Sequence, residues 1–254
     1  MRLARVARPD GPDFAVVEDD HVRLVEGQPF GSFRLSDQVA PLDQARLLAP
    51  IIPSKVLCVG RNYADHAAEL GNEVPEEPLI FSKPSTSVIG PDDAIRLPAL
   101  SESVHFEAEL AVVIGALTRK VTAEEALGRV FGYTCANDVT ARDLQRRDRQ
   151  WTRAKGFDTF CPLGPWIETD LDPAPGVGIR CRINGETRQD GTTADLVFGI
   201  GDLIAWCAAF TTLLPGDVIL TGTPAGVGEL AVGDTCEVEV DGIGVLANPV
   251  VADE

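Results

Sequence analysis

Positive charge is scarce in this chain: 22 Lys and Arg stand against 39 Asp and Glu, a formal net charge of −17 over 254 residues. A surface that acidic repels nucleic acid phosphates and anionic lipid head groups, which excludes polyanion binding as the main function. Long apolar runs are missing too. No stretch approaches the roughly 18 apolar residues that a membrane helix needs, and the basic opening, residues 1–11, lacks the apolar stretch of a signal peptide. A cytoplasmic protein is expected. The six cysteines include no CxxC pair, and Cys58, Cys135, Cys181 and Cys236 fall in apolar, strand-like runs. Buried free thiols are therefore expected, with neither disulfides nor a thiolate zinc site. Regular βαβ alternation, internal repeats and low-complexity segments are absent as well, which argues against a solenoid or a disordered tail.

What is present is enough chain for one large domain, or a small one joined to a large one. Residues 1–50 carry short alternating segments such as 14–18 and 22–25, parted by Asp, Gly and Pro, and are expected to form a small β-rich segment. A connector over 41–53 leads to a compact apolar strand at 55–60, which opens the main body over 51–254. Helices are predicted over 63–70, 122–130, 140–149 and 200–213, the second with a capping pattern Thr122-x-x-Glu125. Strands dominate the rest, among them 110–114, 179–183, 218–220 and 236–240, and residues 173–178 read as a turn or loop. The pattern predicts an α+β, predominantly β fold with peripheral helices.

Chemistry concentrates in four stretches. In His105-Phe-Glu107-Ala-Glu109, a strand period of two places His105, Glu107 and Glu109 on one face. Two neighbouring carboxylates ahead of a buried apolar run need a proton or a cation, and a hard cation such as Mg²⁺ or Mn²⁺ suits carboxylate oxygens. The alternative is an edge strand whose glutamates face water. Asp138 lies between the apolar run 131–136 and the helix predicted from Thr140, so it is either a third ligand or the N-cap of that helix. His66 and Glu69, three residues apart on one helix face, suit a general base whose tautomer a carboxylate holds; an exposed stabilising pair is the alternative.

The stretch 140–162 is the most basic of this acidic chain. Its local positive charge suggests an anionic ligand, while most of Arg146, Arg147 and Arg149 are assigned to a solvated helix face paired with Asp143 and Asp148. Lys155 is placed beyond the helix, in a turn where a constrained ammonium would meet a substrate carboxylate or a developing enolate. The Gly-rich turn 220–228 follows a strand and offers backbone donors to a carboxylate, or is simply a tight turn; it lacks the Lys-Ser/Thr ending of a phosphate-binding loop. Lys83, Ser85 and Ser87, after the run 79–82, are suggestive in the same way.

Taken together, GRNYADHAAEL, FSKPSTSVIGP, HFEAELAVVIG, GYTCANDVTARDLQ, QWTRAKGFDTFCPLGPW and LLPGDVILTGTPAGVG resemble the fumarylacetoacetate hydrolase superfamily over residues 55–250. The resemblance implies a mixed β-sandwich roll with flanking helices, usually assembled as a homodimer. It implies that Glu107, Glu109 and Asp138 hold Mg²⁺ or Mn²⁺, and that His66 and Glu69 form a catalytic dyad on a lid segment. Lys155, Arg61, Gln145 and Thr223 match positions lining the pocket, with Lys155 positioning reacting oxygens; His105 is no ligand in that pattern. The activity implied is metal-dependent hydrolysis of the C–C bond of acylpyruvates, such as fumarylpyruvate or acetylpyruvate, through an enolate. Oxaloacetate decarboxylation and isomerisation of 2-hydroxyhepta-2,4-diene-1,7-dioate share that enolate and stand as alternatives. A non-catalytic metal- or carboxylate-binding protein is the alternative of another class. The expected partner is a small 2-oxo acid, with no role for nucleic acid or membrane.

Overall fold

A strand that is buried at every position must be covered on both faces, because successive side chains point to opposite sides. In the computed structural model, which describes residues 1–69 and 71–253, the strand Ala108–Ile114 meets that condition: all seven of its residues are buried. Leu110, Val112 and Ile114 enter the larger core with Ile179, Cys181 and Val238. Ala111 and Val113 enter a second core with Leu3, Val56, Cys58 and Leu163.

This strand lies inside a twelve-stranded sheet. On one side it pairs antiparallel with Val218–Leu220, which runs parallel to Val56–Gly60, and Leu79–Lys83 forms the edge. On the other side come Val130–Asn137 and Cys161–Glu168. The N-terminal strands continue the same sheet, since Arg2–Val6 pairs with Cys161–Glu168 through Arg2 to Glu168 and Leu3 to Ile167. A five-stranded sheet, from Glu186–Thr192 across Gly178–Ile183, Thr235–Val240 and Gly244–Ala252 to Ile95–Leu97, supplies the opposite face of the larger core. The helix Ile200–Phe210 buries Leu203, Ile204, Cys207 and Ala208 in that core. The chain thus adopts the predominantly β, α+β architecture with flanking helices that its patterning predicts.

Local differences have local causes. The helix predicted over 63–70 is Ala64–Glu69; its expected end at Leu70 lies outside the described residues, as does Glu254 at the end of the 51–254 unit. The capping box forms as expected: Thr122 Oγ1 accepts from the Glu125 N–H at 3.3 Å, and the Glu125 carboxylate accepts from the Thr122 N–H at 2.9 Å. That helix, Ala123–Leu127, stops at Gly128 because Val130 already opens the strand Val130–Asn137. The helix predicted from Thr140 begins at Arg142, since Thr140–Ala141 pairs with Val104–Phe106. Ile200–Phe210 ends short of 213 because Leu213 and Thr118 exchange backbone hydrogen bonds, both at 2.9 Å. The six cysteines are buried and unbridged. Among the described residues, no helix is long and apolar enough to cross a membrane.

Candidate active site

The run 104–114 is not one strand. Val104–Phe106 belongs to a small three-stranded sheet, Ala108–Ile114 to the large one, and Glu107 sits at the junction. Its N–H donates to Asn137 Oδ1 at 2.9 Å, and its carbonyl accepts from the Asp138 N–H at 2.9 Å. The shared face predicted for His105, Glu107 and Glu109 therefore does not extend to His105, whose Nε2 contacts Ser103 Oγ at 3.3 Å. Glu107, Glu109 and Asp138 do converge: one carboxylate oxygen from each lies within 4.8 Å of the others, and all three side chains are buried. Asp138 is not a helix cap, because Ala141 occupies that position without a side-chain hydrogen bond.

Three buried cations surround this cluster, unevenly. Lys155 Nζ donates to Glu107 Oε2 and to Asp138 Oδ2, each at 2.6 Å. The Arg142 guanidinium pairs with Glu107 Oε1. Lys83, fully buried, stands 2.7 Å from Asp138 Oδ1. Its ammonium has three protons, and the carbonyls of Val139, Lys155 and Phe160 accept from Nζ at 3.0, 2.7 and 2.7 Å. Asp138 Oδ1 consequently feels a positive charge but receives no proton, and is buried without a hydrogen bond. Glu109 accepts the Gly222 N–H at 2.6 Å; among the described residues it has no ion pair.

The titration behaviour follows from this asymmetry. Burial pushes Glu107 up, but Arg142, Lys155 and His66 outweigh it and hold its carboxyl well below the usual range. Glu109 is driven far up, by burial and then by the charges of Asp138 and Glu107. Burial lowers Lys155, yet Asp138 and Glu107 more than offset this and keep the ammonium charged. A hard divalent cation fits the residues present: it would use the orphaned Asp138 Oδ1 lone pair and supply the positive neighbour that Glu109 lacks.

The helix Ala64–Glu69 brings the dyad to the same place. His66 is buried, with Nδ1 3.3 Å from Glu69 Oε2 and Nε2 4.0 Å from Glu107 Oε1, while Glu69 is exposed; the pair therefore runs from the surface to the cluster and is not a wholly exposed one. Glu69 is fastened in turn by the Gly226 N–H, at 3.1 and 3.2 Å from its two oxygens. The donors of the 220–228 turn thus serve the chain's own carboxylates, Gly222 on Glu109 and Gly226 on Glu69. Both positions require glycine. Their φ angles are +100° and +98°, and a Cβ would lie 2.8 Å from Asn62 Cβ and 2.3 Å from the Arg188 carbonyl oxygen.

The cluster forms the inner end of a cavity of about 270 Å³, near the small end of ligand pockets. Arg61, Gln145, Lys155 and Thr223 all line it, beside an apolar wall that includes Val59, Phe81 and Trp151. Their roles divide. Thr223 donates to the Ala108 carbonyl and accepts from Gln189 Nε2, both at 2.8 Å, so its hydroxyl proton secures the strand carrying Glu109. Gln145 Oε1 accepts from Arg142 Nη1 at 2.9 Å, and among the described residues its NH₂ group donates to none. Lys155 is not in a turn but ends a short helix, Thr152–Lys155. Arg142, Asn137 and Gln189, which pair with or fasten this cluster, carry no local pattern that marks them in the sequence. Lys83 showed one usable signal, a lone lysine closing an apolar strand before proline.

Comparison with known proteins places this geometry. Residues 55–251 match the family model described as fumarylacetoacetate (FAA) hydrolase C-terminal, and residues 1–50 match one described as Rv2993c-like, N-terminal. Protein Rv2993c of Mycobacterium tuberculosis is 50% identical over 260 residues, covering 99% of this chain and 98% of that protein. The mitochondrial oxaloacetate tautomerase fahd2 of Xenopus laevis is 49% identical over 217 residues, covering 81% of this chain and 68% of its own. Among solved structures, 5-carboxymethyl-2-hydroxymuconate delta-isomerase from Mycobacterium smegmatis is 52% identical, with a TM-score of 0.93 and complete coverage of both chains.

Proposed function

The chain is an enzyme belonging to the fumarylacetoacetate hydrolase family, and from that premise we propose that it moves a proton at C3 of a small 2-oxo acid, interconverting keto and enol forms. One observation carries this reading. A buried imidazole is held at Nδ1 by Glu69 while its Nε2 faces the carboxylate cluster.

Glu107, Glu109 and Asp138 would hold Mg²⁺ or Mn²⁺, which supplies Lewis acidity toward the carboxylate and 2-oxo oxygens of a bound substrate. The Glu69 carboxylate keeps the proton of His66 on Nδ1, so the Nε2 lone pair takes a proton from C3 and delivers it to the enolate oxygen to give the enol, and the reverse transfer restores the keto form. Lys155 has two of its three protons committed to Glu107 and Asp138, and the third is available to the oxygen on which charge develops. Gln145 offers its NH₂ group to a second substrate oxygen. The names of the tautomerase and isomerase relatives support proton relocation as the reaction.

The same dyad favours a second reading, hydrolysis of acylpyruvates such as fumarylpyruvate or acetylpyruvate. There His66 Nε2 takes a proton from water, and the resulting hydroxide attacks the C4 carbonyl. The C3–C4 bond breaks with its electron pair staying on C3, and a proton delivered to C3 leaves pyruvate and a carboxylic acid. Oxaloacetate decarboxylation needs no activated water and so makes least use of the dyad. The working unit is taken as a homodimer on the family resemblance, which light scattering on the purified protein checks.

The deciding experiment follows oxaloacetate enol absorbance, and acetylpyruvate and fumarylpyruvate cleavage, with Mg²⁺, Mn²⁺ or EDTA against protein-free controls. Enzyme-accelerated tautomerisation that His66→Ala lowers by about 100-fold or more supports the proton-transfer reading. Dominant acylpyruvate cleavage moves the enzyme to the hydrolase reading. Metal-dependent stability without any turnover would leave a binding protein.

A further inference from the structure

Around the inner cluster every cation is committed: Lys83, Lys155 and Arg142 all pair with Glu107 or Asp138. Farther out the balance changes. Arg61 and Arg146 line the same cavity, yet among the described residues neither guanidinium makes a hydrogen bond or an ion pair. Their neighbours behave otherwise. Arg147 and Arg153 both pair with Asp148, at 3.5 and 2.6 Å. Arg146 is exposed and Arg61 half-buried, so the uncommitted charge sits at the open end while the metal-ligand candidates sit at the closed end. In a chain of net charge −17, a cavity mouth whose charged lining, among the described residues, is Arg61 and Arg146 is set for an anion.

We propose that Arg146, assisted by Arg61, forms an anion subsite that reads a second carboxylate at the far end of the substrate. The substrate class is then a 2-oxo dicarboxylate dianion, and a 2-oxo acid with a neutral end is a poorer ligand. This rests on the enolate reading only for the orientation of the substrate, with its 2-oxo end toward Glu107, Glu109 and Asp138. The chemical logic is guanidinium recognition of carboxylate by two parallel N–H donors. Because Arg146 is solvated in the free protein, a neutral end leaves no buried charge stranded, and the discrimination is expected to be moderate.

The test separates binding from turnover. The Mg²⁺-loaded full chain is titrated calorimetrically with 2-oxoglutarate and with 2-oxopentanoate, which have the same chain length but end in carboxylate and methyl. Wild type is expected to bind 2-oxoglutarate about tenfold more tightly at low salt. Arg146→Gln brings the pair to within about twofold by weakening only the dianion, and Arg146→Lys keeps most of the preference. Equal wild-type affinities, or an Arg146→Gln variant that weakens both ligands alike, overturns the subsite. In parallel, kcat/KM for fumarylpyruvate and acetylpyruvate is measured on both proteins. Selective binding without turnover of any substrate sustains the subsite and rejects the enolate chemistry; turnover without dianion preference does the reverse.

Discussion

Two ion-pair networks in this chain use the same residue types under opposite conditions. On the outer sheet, Arg180 contacts Asp190, Glu239 and Asp241, and Arg182 pairs with Glu239, all on side chains a quarter or more exposed. At the cavity floor, Lys83, Lys155 and Arg142 contact Glu107 and Asp138 on side chains no more than 5% exposed. Water and salt screen the outer set, so each contact there is weak and replaceable. The inner set has no such relief. Each of its charges is tolerable only while its partner is in place, and Glu109 is the one carboxylate of the cluster without an ion pair among the described residues.

Breaking the inner network should have the largest effect. Lys83→Met removes a buried ammonium that three carbonyls and Asp138 face, and should cost about 3–5 kcal/mol in urea unfolding. A loss below about 1 kcal/mol would show that the inner set behaves like a surface one. Next in size is a pH effect in EDTA. Glu109, raised in the fold, favours the folded state while protonated; that contribution is lost as pH rises above its ordinary 4.5 through the raised value. Glu107, lowered in the fold, contributes above its ordinary 4.5 and loses that contribution as pH falls through the lowered value. The metal-free protein should therefore lose stability between mildly acidic and neutral pH, and saturating Mg²⁺ should flatten that loss; Tm against pH with and without Mg²⁺ checks both. The smallest effect belongs to the outer network, where Arg180→Ala should cost at most about 1 kcal/mol, less still at high salt.

The two regions also differ in how far the sequence reveals them. The strand Ala108–Ile114 and the ligand candidates flanking it were legible because an unbroken apolar run beside two glutamates and a later aspartate is a local pattern. His66 and Glu69 were legible from helical spacing. Lys83 is marked by its place at the end of an apolar strand, but its role is not legible, since its acceptors come from residues 56, 72 and 77 positions away. Arg146 is exposed, as the solvated-face reading expects, but it also lines the cavity and, among the described residues, pairs with neither Asp143 nor Asp148. Which arginine of that helix faces the pocket depends on where Thr140–Ala141 leaves the sheet, a tertiary event. The four-residue helix ending in Lys155 is too short to show a period. The 220–228 turn reads from the sequence as donors to a carboxylate or as a simple tight turn, and only the fold shows Gly222 and Gly226 donating to Glu109 and Glu69.

The account turns on Glu109 as the carboxylate that awaits a cation. Titrating Mn²⁺ into the metal-free wild type and Glu109→Gln, with free Mn²⁺ read by electron paramagnetic resonance, tests it most directly. One tight site per chain in wild type, weakened by about tenfold or more in Glu109→Gln while the variant stays folded, is the predicted result. Equal Mn²⁺ binding by both proteins, or none by wild type, would contradict it.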